Sequence, residues 1–207
     1  MNTIVNTLTP SEAAVISGVS VRDVHRVIDE HILPDDLYSA EQARSFKSQA
    51  CVFISFYFRA ASRLTSEERQ KMIALASKLP EDGTGTKAIQ DDFLTIDLTS
   101  FRKDVDDRLT RLRTAQDCVV SDPEILSGAL VVRGTRVPVY HVAASVAAGI
   151  SMERILAAYP SLNQEQVELA ALYAEANPQR GRPPQRPSLP PGAKLISRRT
   201  GTITRSA

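Results

Sequence analysis

The stretch Asp122-Pro-Glu-Ile-Leu-Ser-Gly-Ala-Leu-Val-Val-Arg-Gly-Thr-Arg-Val-Pro-Val139 indicates how the second half of this 207-residue chain folds. Its β-prone run Leu130-Val-Val132, together with Cys118-Val-Val120 upstream, predicts two short strands. Gly134 permits a tight turn, and Pro138 suits the start of a helix. Three short helices are predicted after it: Val139 to Ala148, Ser151 to Tyr159 and Asn163 to Ala176. We therefore expect a module of short strands and a three-helix bundle over residues 91–177.

The N-terminal part, residues 1–80, is predicted to be a helical head. Thr9, Pro10 and Glu12 have the spacing of a helix start with a capping box, and Gly18 ends that helix. Ser20 and Asp23 repeat the pattern for a second helix, which Pro34-Asp-Asp36 terminates. Further helices are expected at about Ala40 to Leu64, Ser66 to Lys78 and Ser100 to Arg113, with a strand near Phe93 to Leu98. Residues 81–90, which are Gly- and Thr-rich, are predicted to be a linker. The fold class is mainly α.

Two segments have the form of a helix-turn-helix unit and resemble each other: Gly18-Val-Ser-Val-Arg-Asp-Val24 and Gly149-Ile-Ser-Met-Glu-Arg-Ile155. In each, glycine allows a left-handed turn and serine is placed to cap the second helix. Such a turn lets the second helix enter the major groove of DNA. Two packed helices joined in this way with no DNA contact are the alternative interpretation for both units.

The exposed residues distinguish the two units. In the first, the polar side of the second helix carries hydrogen-bonding and cationic groups that suit DNA bases and phosphates. These candidate DNA-binding residues are Ser20, Arg22, Asp23, His25 and Arg26. In the second unit, the same face is nearly uncharged and suits packing: Met152, Glu153, Arg154, Ala157 and Ala158. DNA recognition is therefore expected mainly from the first unit.

The turn around Gly134 has two interpretations. Arg133, Thr135 and Arg136 are candidate DNA-binding residues, because a guanidinium offers a planar fork of donors to phosphate. Alternatively, Val131-Val132 and Val137 form a small hairpin, and the arginines are its solvated rim.

Residues Pro123 to Pro178 resemble the small helix-turn-helix module of VapB-type bacterial antitoxins, which are paired with toxins of PIN-like ribonuclease fold. The resemblance rests on the order and spacing of Arg133-Gly-Thr-Arg-Val-Pro-Val139, Ala147-Ala-Gly-Ile-Ser151 and Tyr159-Pro-Ser-Leu162. The head, with Leu33-Pro34 and Tyr38-Ser-Ala-Glu-Gln-Ala43, resembles the DNA-binding part of MerR-type regulators. These resemblances imply a protein that binds a toxin and DNA.

The C-terminal tail, residues 178–207, carries a formal charge of +7 and no carboxylate side chain, whereas residues 1–177 carry −6. Its proline content predicts that it is extended or disordered when free. The antitoxin resemblance implies that such a segment wraps the toxin and blocks an acidic, metal-binding active site. The candidate toxin-binding residues are Arg180, Arg182, Arg186, Lys194, Leu195, Ile196, Arg198 and Arg199. The alternatives are that the tail only raises DNA affinity nonspecifically, or that the module at 91–177 makes the main toxin contact.

Other classes of protein receive little support. Cys51 and Cys118 are isolated, so a reduced, cytoplasmic protein without metal or cofactor is expected. The apolar run Ala50 to Phe58 is too short to span a membrane. No sequence motif for catalysis is present, and an enzyme is not expected. The aromatic residues of that run predict buried core, and a homodimer interface is the alternative.

The expected function is that of an antitoxin. It would neutralise a PIN-like ribonuclease toxin by direct binding and repress its own operon through operator DNA, as a homodimer. The alternative is a stand-alone helix-turn-helix transcription regulator without a toxin partner.

Overall fold

The computed structural model describes residues 7–40, 43–78, 88–91 and 94–179. Within these ranges the chain is mainly helical, which confirms the predicted fold class. The α-helices are α1 (Pro10–Ser17), α2 (Val21–Asp29), α3 (Ser48–Arg59), α4 (Ser66–Ala76), α5 (Thr99–Asp117), α6 (Val139–Ala147), α7 (Met152–Ala158) and α8 (Gln164–Ala176). Short antiparallel hairpins pair β1 (Tyr38–Ser39) with β2 (Ser45–Phe46), β3 (Ala88–Asp91) with β4 (Leu94–Asp97), and β5 (Val119–Ser121) with β6 (Leu130–Val132).

The predicted capping boxes at the first two helices are present. Glu12 N–H donates to Thr9 Oγ1 at 3.3 Å, and Thr9 N–H donates back to Glu12 Oε2 at 2.8 Å. Ser20 and Asp23 make the equivalent reciprocal pair at the start of α2. These bonds satisfy backbone donors that a helix start otherwise leaves unpaired. Both helices therefore begin where the side chains predict.

Helix α3 forms the centre of the larger apolar core. Phe53, Phe56 and Tyr57 are each at most 2% exposed, and α1, α4 and α5 pack against the helix. The aromatic run is therefore core, as predicted. Because these neighbours belong to the same chain, the aromatic run gives no reason to expect a homodimer, and that prediction now depends on DNA binding alone.

A smaller second core lies in the C-terminal part of the chain. The β5–β6 hairpin, α6, α7 and α8 contribute its buried residues, among them Val132, Val142, Ile155 and Val167. Leu98, Val105 and Leu112 belong instead to the larger core, so the two apolar clusters divide between Leu112 and Val119. Residues 88–90 of the segment predicted as linker lie in β3.

Helix α8 joins the two cores, because it packs on α6 on one side and on α1 and α5 on the other. Its last residue, Ala176, belongs to the larger core. Arg111 of α5 and Glu168 of α8 form an ion pair at 2.6 Å, and Tyr140 Oη–H of α6 donates to the Asn177 carbonyl at 2.7 Å. The end of α8 is thereby held against the N-terminal head.

The helix expected from Ala40 to Leu64 is wrong at both ends. Its first part contains the β1–β2 hairpin, and α3 runs only from Ser48 to Arg59. Phe46 exchanges two backbone hydrogen bonds with Leu8, at 2.8 and 2.9 Å. These tertiary bonds involve a residue 38 positions away, which local helix propensity does not reveal.

Candidate nucleic-acid interface

The α1–turn–α2 unit has the geometry of a helix-turn-helix. Gly18 adopts the left-handed conformation with φ +69°, and Val24, Val27 and Ile28 bury one side of α2. The guanidinium of Arg108, from α5, lies against Gly18 and donates to the Ile16 carbonyl at 3.3 Å. That bond caps the end of α1, since helix C-terminal carbonyls lack intrahelical partners. The turn is therefore fixed by the larger core, and the opposite face of α2 is left to solvent.

Ser20 and Asp23 serve the helix start. The Asp23 carboxylate accepts from Ser20 Oγ–H at 2.6 Å and from Ser20 N–H at 3.3 Å, while Ser20 Oγ accepts from Asp23 N–H at 3.1 Å. Of the five DNA-binding residues predicted on the first unit, these two have their polar atoms occupied within the protein. The remaining three, Arg22, His25 and Arg26, carry the groups available to a ligand.

The two arginines of α2 differ in their partners. Arg26 Nε donates to Glu30 Oε1 at 2.8 Å, an exposed i,i+4 ion pair, and this hydrogen bond raises the pKa of Arg26. Arg22 is exposed and has no hydrogen-bond or ion-pair partner within the described segments. Exposed ion pairs contribute little, so Arg26 can exchange Glu30 for another anion. Arg22 needs no such exchange.

Arg44, adjacent to β2, adds a group that sequence reasoning missed. Its Nη1 lies 2.9 Å from His25 Nδ1, and its Nη2 lies 2.7 Å from Asp29 Oδ1. Because a guanidinium only donates, His25 Nδ1 must accept, which places the imidazole proton on Nε2. The segment that resembles MerR-type heads extends to Ala43, so it did not include Arg44.

The charges on this face are balanced. Arg22, Arg26 and Arg44 lie among three carboxylates of α2 and its C-cap: Asp23, Asp29 and Glu30. The face thus offers hydrogen-bond donors in a neutral surrounding. It can read polar groups, but by itself it attracts a polyanion weakly.

The second helix-turn-helix unit has the same turn and a different surface. Gly149 adopts φ +71°, but Ser151, at the N-cap of α7, makes no side-chain cap bond in the structure. Met152, predicted on the exposed face, packs against the smaller core. Val146 and Ile150 are 37% and 39% exposed, and Ala157 and Ala158 are exposed beyond them. The exposed surface of this unit therefore carries more apolar side chains than that of the first unit, together with Glu153 and Arg154 of α7.

The arginine turn is engaged with its own backbone. Arg133 Nε donates to the Asp117 carbonyl at the end of α5 at 2.6 Å. Thr135 Oγ1–H donates to the Val132 carbonyl at 2.8 Å and accepts from Val137 N–H at 3.1 Å. Arg136 is exposed without a polar partner in the described part of the chain. These bonds join the turn to α5 and β6, whereas Arg44 joins α2 to the β1–β2 hairpin. The candidate DNA-binding residues at the Gly134 turn and those on α2 therefore form two separate clusters.

The predicted toxin-binding residues, from Arg180 to Arg199, lie outside the described residues. The described end of the chain, Asn177 to Gln179, borders a groove between α8 and the head. Val21, His25, Arg44 and Tyr140 line the same groove. The tail therefore starts beside the candidate DNA-binding helix.

The described segments offer neither a metal centre nor a membrane span. They contain no cluster of three or more His, Cys, Asp or Glu side chains placed to hold a metal ion. Among the same residues, no helix has the length and apolar character needed to cross a membrane.

The fold and this site describe a mainly α-helical protein with two helix-turn-helix units, one polar and one apolar. Residues 119–174, which nearly coincide with the smaller core, match the family described as "Protein of unknown function (DUF433)". The "Uncharacterized protein y4eO" of Sinorhizobium fredii (strain NBRC 101917 / NGR234) is 50% identical over 212 residues, which cover 96% of this chain and 94% of the relative. The chain therefore belongs to the same family as y4eO. No solved structure matches the chain.

Proposed function

We propose that this protein is an antitoxin that represses its own operon by binding operator DNA and neutralises a PIN-like ribonuclease toxin by direct binding. The observation that carries the DNA-binding half is the α1–turn–α2 unit. Its second helix presents Arg22 and Arg26 to solvent with the half-buried His25 between them, and Arg108 donates to the end of α1 behind the turn.

In this proposal α2 lies in the major groove with its N-terminal half toward the bases. Arg22 reads guanine, because a guanidinium matches the O6 and N7 acceptors of that base. His25 donates from Nε2, since Arg44 occupies its Nδ1. Arg26 exchanges Glu30 for phosphate. A homodimer would place two such helices on paired half-sites.

The toxin-binding half is supported by the sequence resemblance and by a surface. The resemblance to VapB-type antitoxins covers the smaller core, and the tail offers cations to an acidic toxin site. The exposed apolar side chains of Val146 and Ile150 are suited to contact a protein partner. Apolar surface at the centre of a contact is typical of protein partners rather than DNA.

A stand-alone transcription regulator is the second candidate. It is favoured by the α2 face, because contacts within this one chain already hold its side chains in position and no toxin is needed to do so.

A gel shift with the DNA upstream of the gene tests the DNA-binding half. Arg22→Ala is expected to weaken binding at least about tenfold, the loss of one bidentate base contact. Arg154→Ala is the matched control, an exposed arginine on the second helix of the other unit, and it should change affinity less than about twofold. Equal affinity of the two variants, or no shift with the unaltered protein, would contradict DNA binding through α2.

Co-purification with the product of the adjacent gene, followed by growth rescue, tests the toxin-binding half. The full chain is expected to bind that product and restore growth. A chain ending at Asn177 should keep its helical circular dichroism and fail to rescue, because it lacks the cations of the tail. Rescue by the truncated chain would show that the tail is not needed and would assign the toxin contact to the module at 91–177. Absence of a complex with the full chain would favour the stand-alone regulator.

A further inference from the structure

The histidine of α2 has one ring nitrogen occupied and one available. His25 Nδ1 lies 2.9 Å from Arg44 Nη1, and a guanidinium has no acceptor, so Nδ1 accepts this hydrogen bond. The ring is therefore neutral, because a protonated imidazole carries hydrogen on both nitrogens. Its proton is on Nε2, which has no hydrogen-bond partner among the described residues. His25 thus offers a donor on the side of the ring away from Arg44.

Arg44 is held from two sides. Its Nη2 donates to Asp29 Oδ1 at 2.7 Å. Asp29 follows His25 by four residues, so both partners of the guanidinium lie on the same side of α2. Two residues after Arg44, Phe46 is 0% exposed and exchanges backbone hydrogen bonds with Leu8. An arginine outside the helix-turn-helix unit, on a segment that the larger core anchors, therefore fixes the orientation of the His25 ring.

We propose that Arg44 is a positioning residue that makes His25 select bases with a hydrogen-bond acceptor. The inference rests on the DNA-binding half of the proposed function and names the base edge that this position of α2 selects. A fixed Nε2–H can donate to N7 of a purine, O6 of guanine or O4 of thymine. It disfavours cytosine, whose major-groove edge offers only the N4 donor. His25 borders the same hollow of α2 as Arg22 and Arg26, so the three side chains face one ligand.

Nitrogen NMR of the histidine rings tests the positioning without DNA. Long-range proton–nitrogen correlations at pH 8 show which ring nitrogen carries the proton, and His25→Gln identifies the His25 signals. The unaltered protein is expected to show Nε2–H as the single form. Arg44→Met removes the donors at Nδ1 and should add the Nδ1–H form, whereas Arg44→Lys should restore the single form, because an ammonium also only donates. Both variants should keep the helical circular dichroism, since Arg44 lies outside the two apolar cores.

Base preference measures the consequence of the positioning. Gel shifts with single-base changes in the upstream DNA first locate the base pair at which His25→Ala loses discrimination. At that pair the unaltered protein is expected to bind cytosine at least about fivefold more weakly than the preferred base, the loss of one hydrogen bond. Arg44→Met should reduce this discrimination to less than about twofold, and Arg44→Lys should keep it. The base pair selected by Arg22 is the internal control, and its preference should change less than about twofold in Arg44→Met, because Arg22 shares no partner with Arg44.

The two measurements separate this inference from the proposed function. A proton on Nδ1 in the unaltered protein, or an unchanged NMR signature in Arg44→Met, would show that Arg44 does not position His25. If binding to upstream DNA depends on Arg22 and His25→Ala keeps every base preference, His25 selects no base and α2 still binds DNA. If the unaltered protein binds no upstream DNA, the proposed function fails and base selection fails with it, whereas the NMR result alone decides the positioning.

Discussion

The two helix-turn-helix units share a turn and differ in almost everything around it. Gly18 and Gly149 have φ of +69° and +71°, and each is followed by a β-branched residue and a serine. In the head, serine caps α2 and a second element, Arg108 of α5, fastens the turn. In the module, the serine makes no cap bond and the turn is open to solvent. Similar turn sequences thus lie next to a braced, more polar surface in the head and an unbraced, more apolar surface in the module.

This difference shows that a turn motif specifies backbone shape and leaves function to the neighbouring side chains. The DNA-binding proposal depends on Arg22 and His25, which have no counterparts on α7, rather than on the turn. Paired substitutions in the two units measure how bracing, burial and capping differ between them.

The largest effect is expected from alanine at the two glycines. A Cβ at Gly18 would lie 2.5 Å from Arg108 Nη1, whereas a Cβ at Gly149 meets nothing within 4 Å. Both substitutions cost about 1–2 kcal/mol for the left-handed backbone. Gly18→Ala also displaces Arg108 from the Ile16 carbonyl and should cost about 1 kcal/mol more. Urea unfolding measures both. Equal destabilisation of the two variants would show that Arg108 does not brace the turn.

The next-largest effect concerns the two cysteines: Cys51 lies in the larger core, and Cys118 packs against the smaller one. Burial raises the pKa of Cys51 to about 12, and burial raises the pKa of the partly exposed Cys118 as well. Above pH 9 the unfolded chain loses the Cys51 proton while the folded chain keeps it, so stability falls as pH rises. By pH 10.5 the loss is about 2 kcal/mol.

Urea unfolding at pH 8 and pH 10.5 measures this loss, with Cys51→Ala as the test and Cys118→Ala as the control. Cys51→Ala should remove the 2 kcal/mol component, and Cys118→Ala should retain it. A Cys51→Ala protein with the full pH dependence would contradict the burial of that thiol. In the native protein, iodoacetamide should modify Cys118 first, because Cys51 is 0% exposed.

Local signals predicted the helices well. Capping residues placed the starts of α1, α2 and α4, and the predicted ends of α1 and α4 lie within two residues of the observed ones. The end of α2 was predicted too late, because the helix stops at Asp29 and not at Pro34. Pro138 marked the start of α6. The hairpins were harder to predict from the sequence. The β1–β2 hairpin consists of two-residue strands supported by Leu8, and β3 was assigned to a linker. Such strands are stabilised by distant partners, which a sequence pattern does not show.

The candidate site was predicted only in part for the same reason. The sequence indicates which residues of α2 point outward, because the apolar positions fix the buried side. It did not show that Arg44 donates to His25, or that Arg133 caps the end of α5. Nor did it show that α8 returns the tail to the head, which follows from packing between elements far apart in sequence.

The smallest effect is expected from the two cap serines. Ser20→Ala removes the acceptor for Asp23 N–H and should destabilise the protein by about 1 kcal/mol, the usual contribution of an N-cap. Ser151→Ala removes no cap bond and should change the free energy of unfolding by less than about 0.5 kcal/mol. Thermal unfolding of both variants measures the difference. If Ser151→Ala proves as costly as Ser20→Ala, the module's turn is capped in solution and the contrast in bracing between the two units disappears. If only Ser20 matters, the start of α2 is fixed within the free protein, as the proposed contact of Arg22 with a base requires.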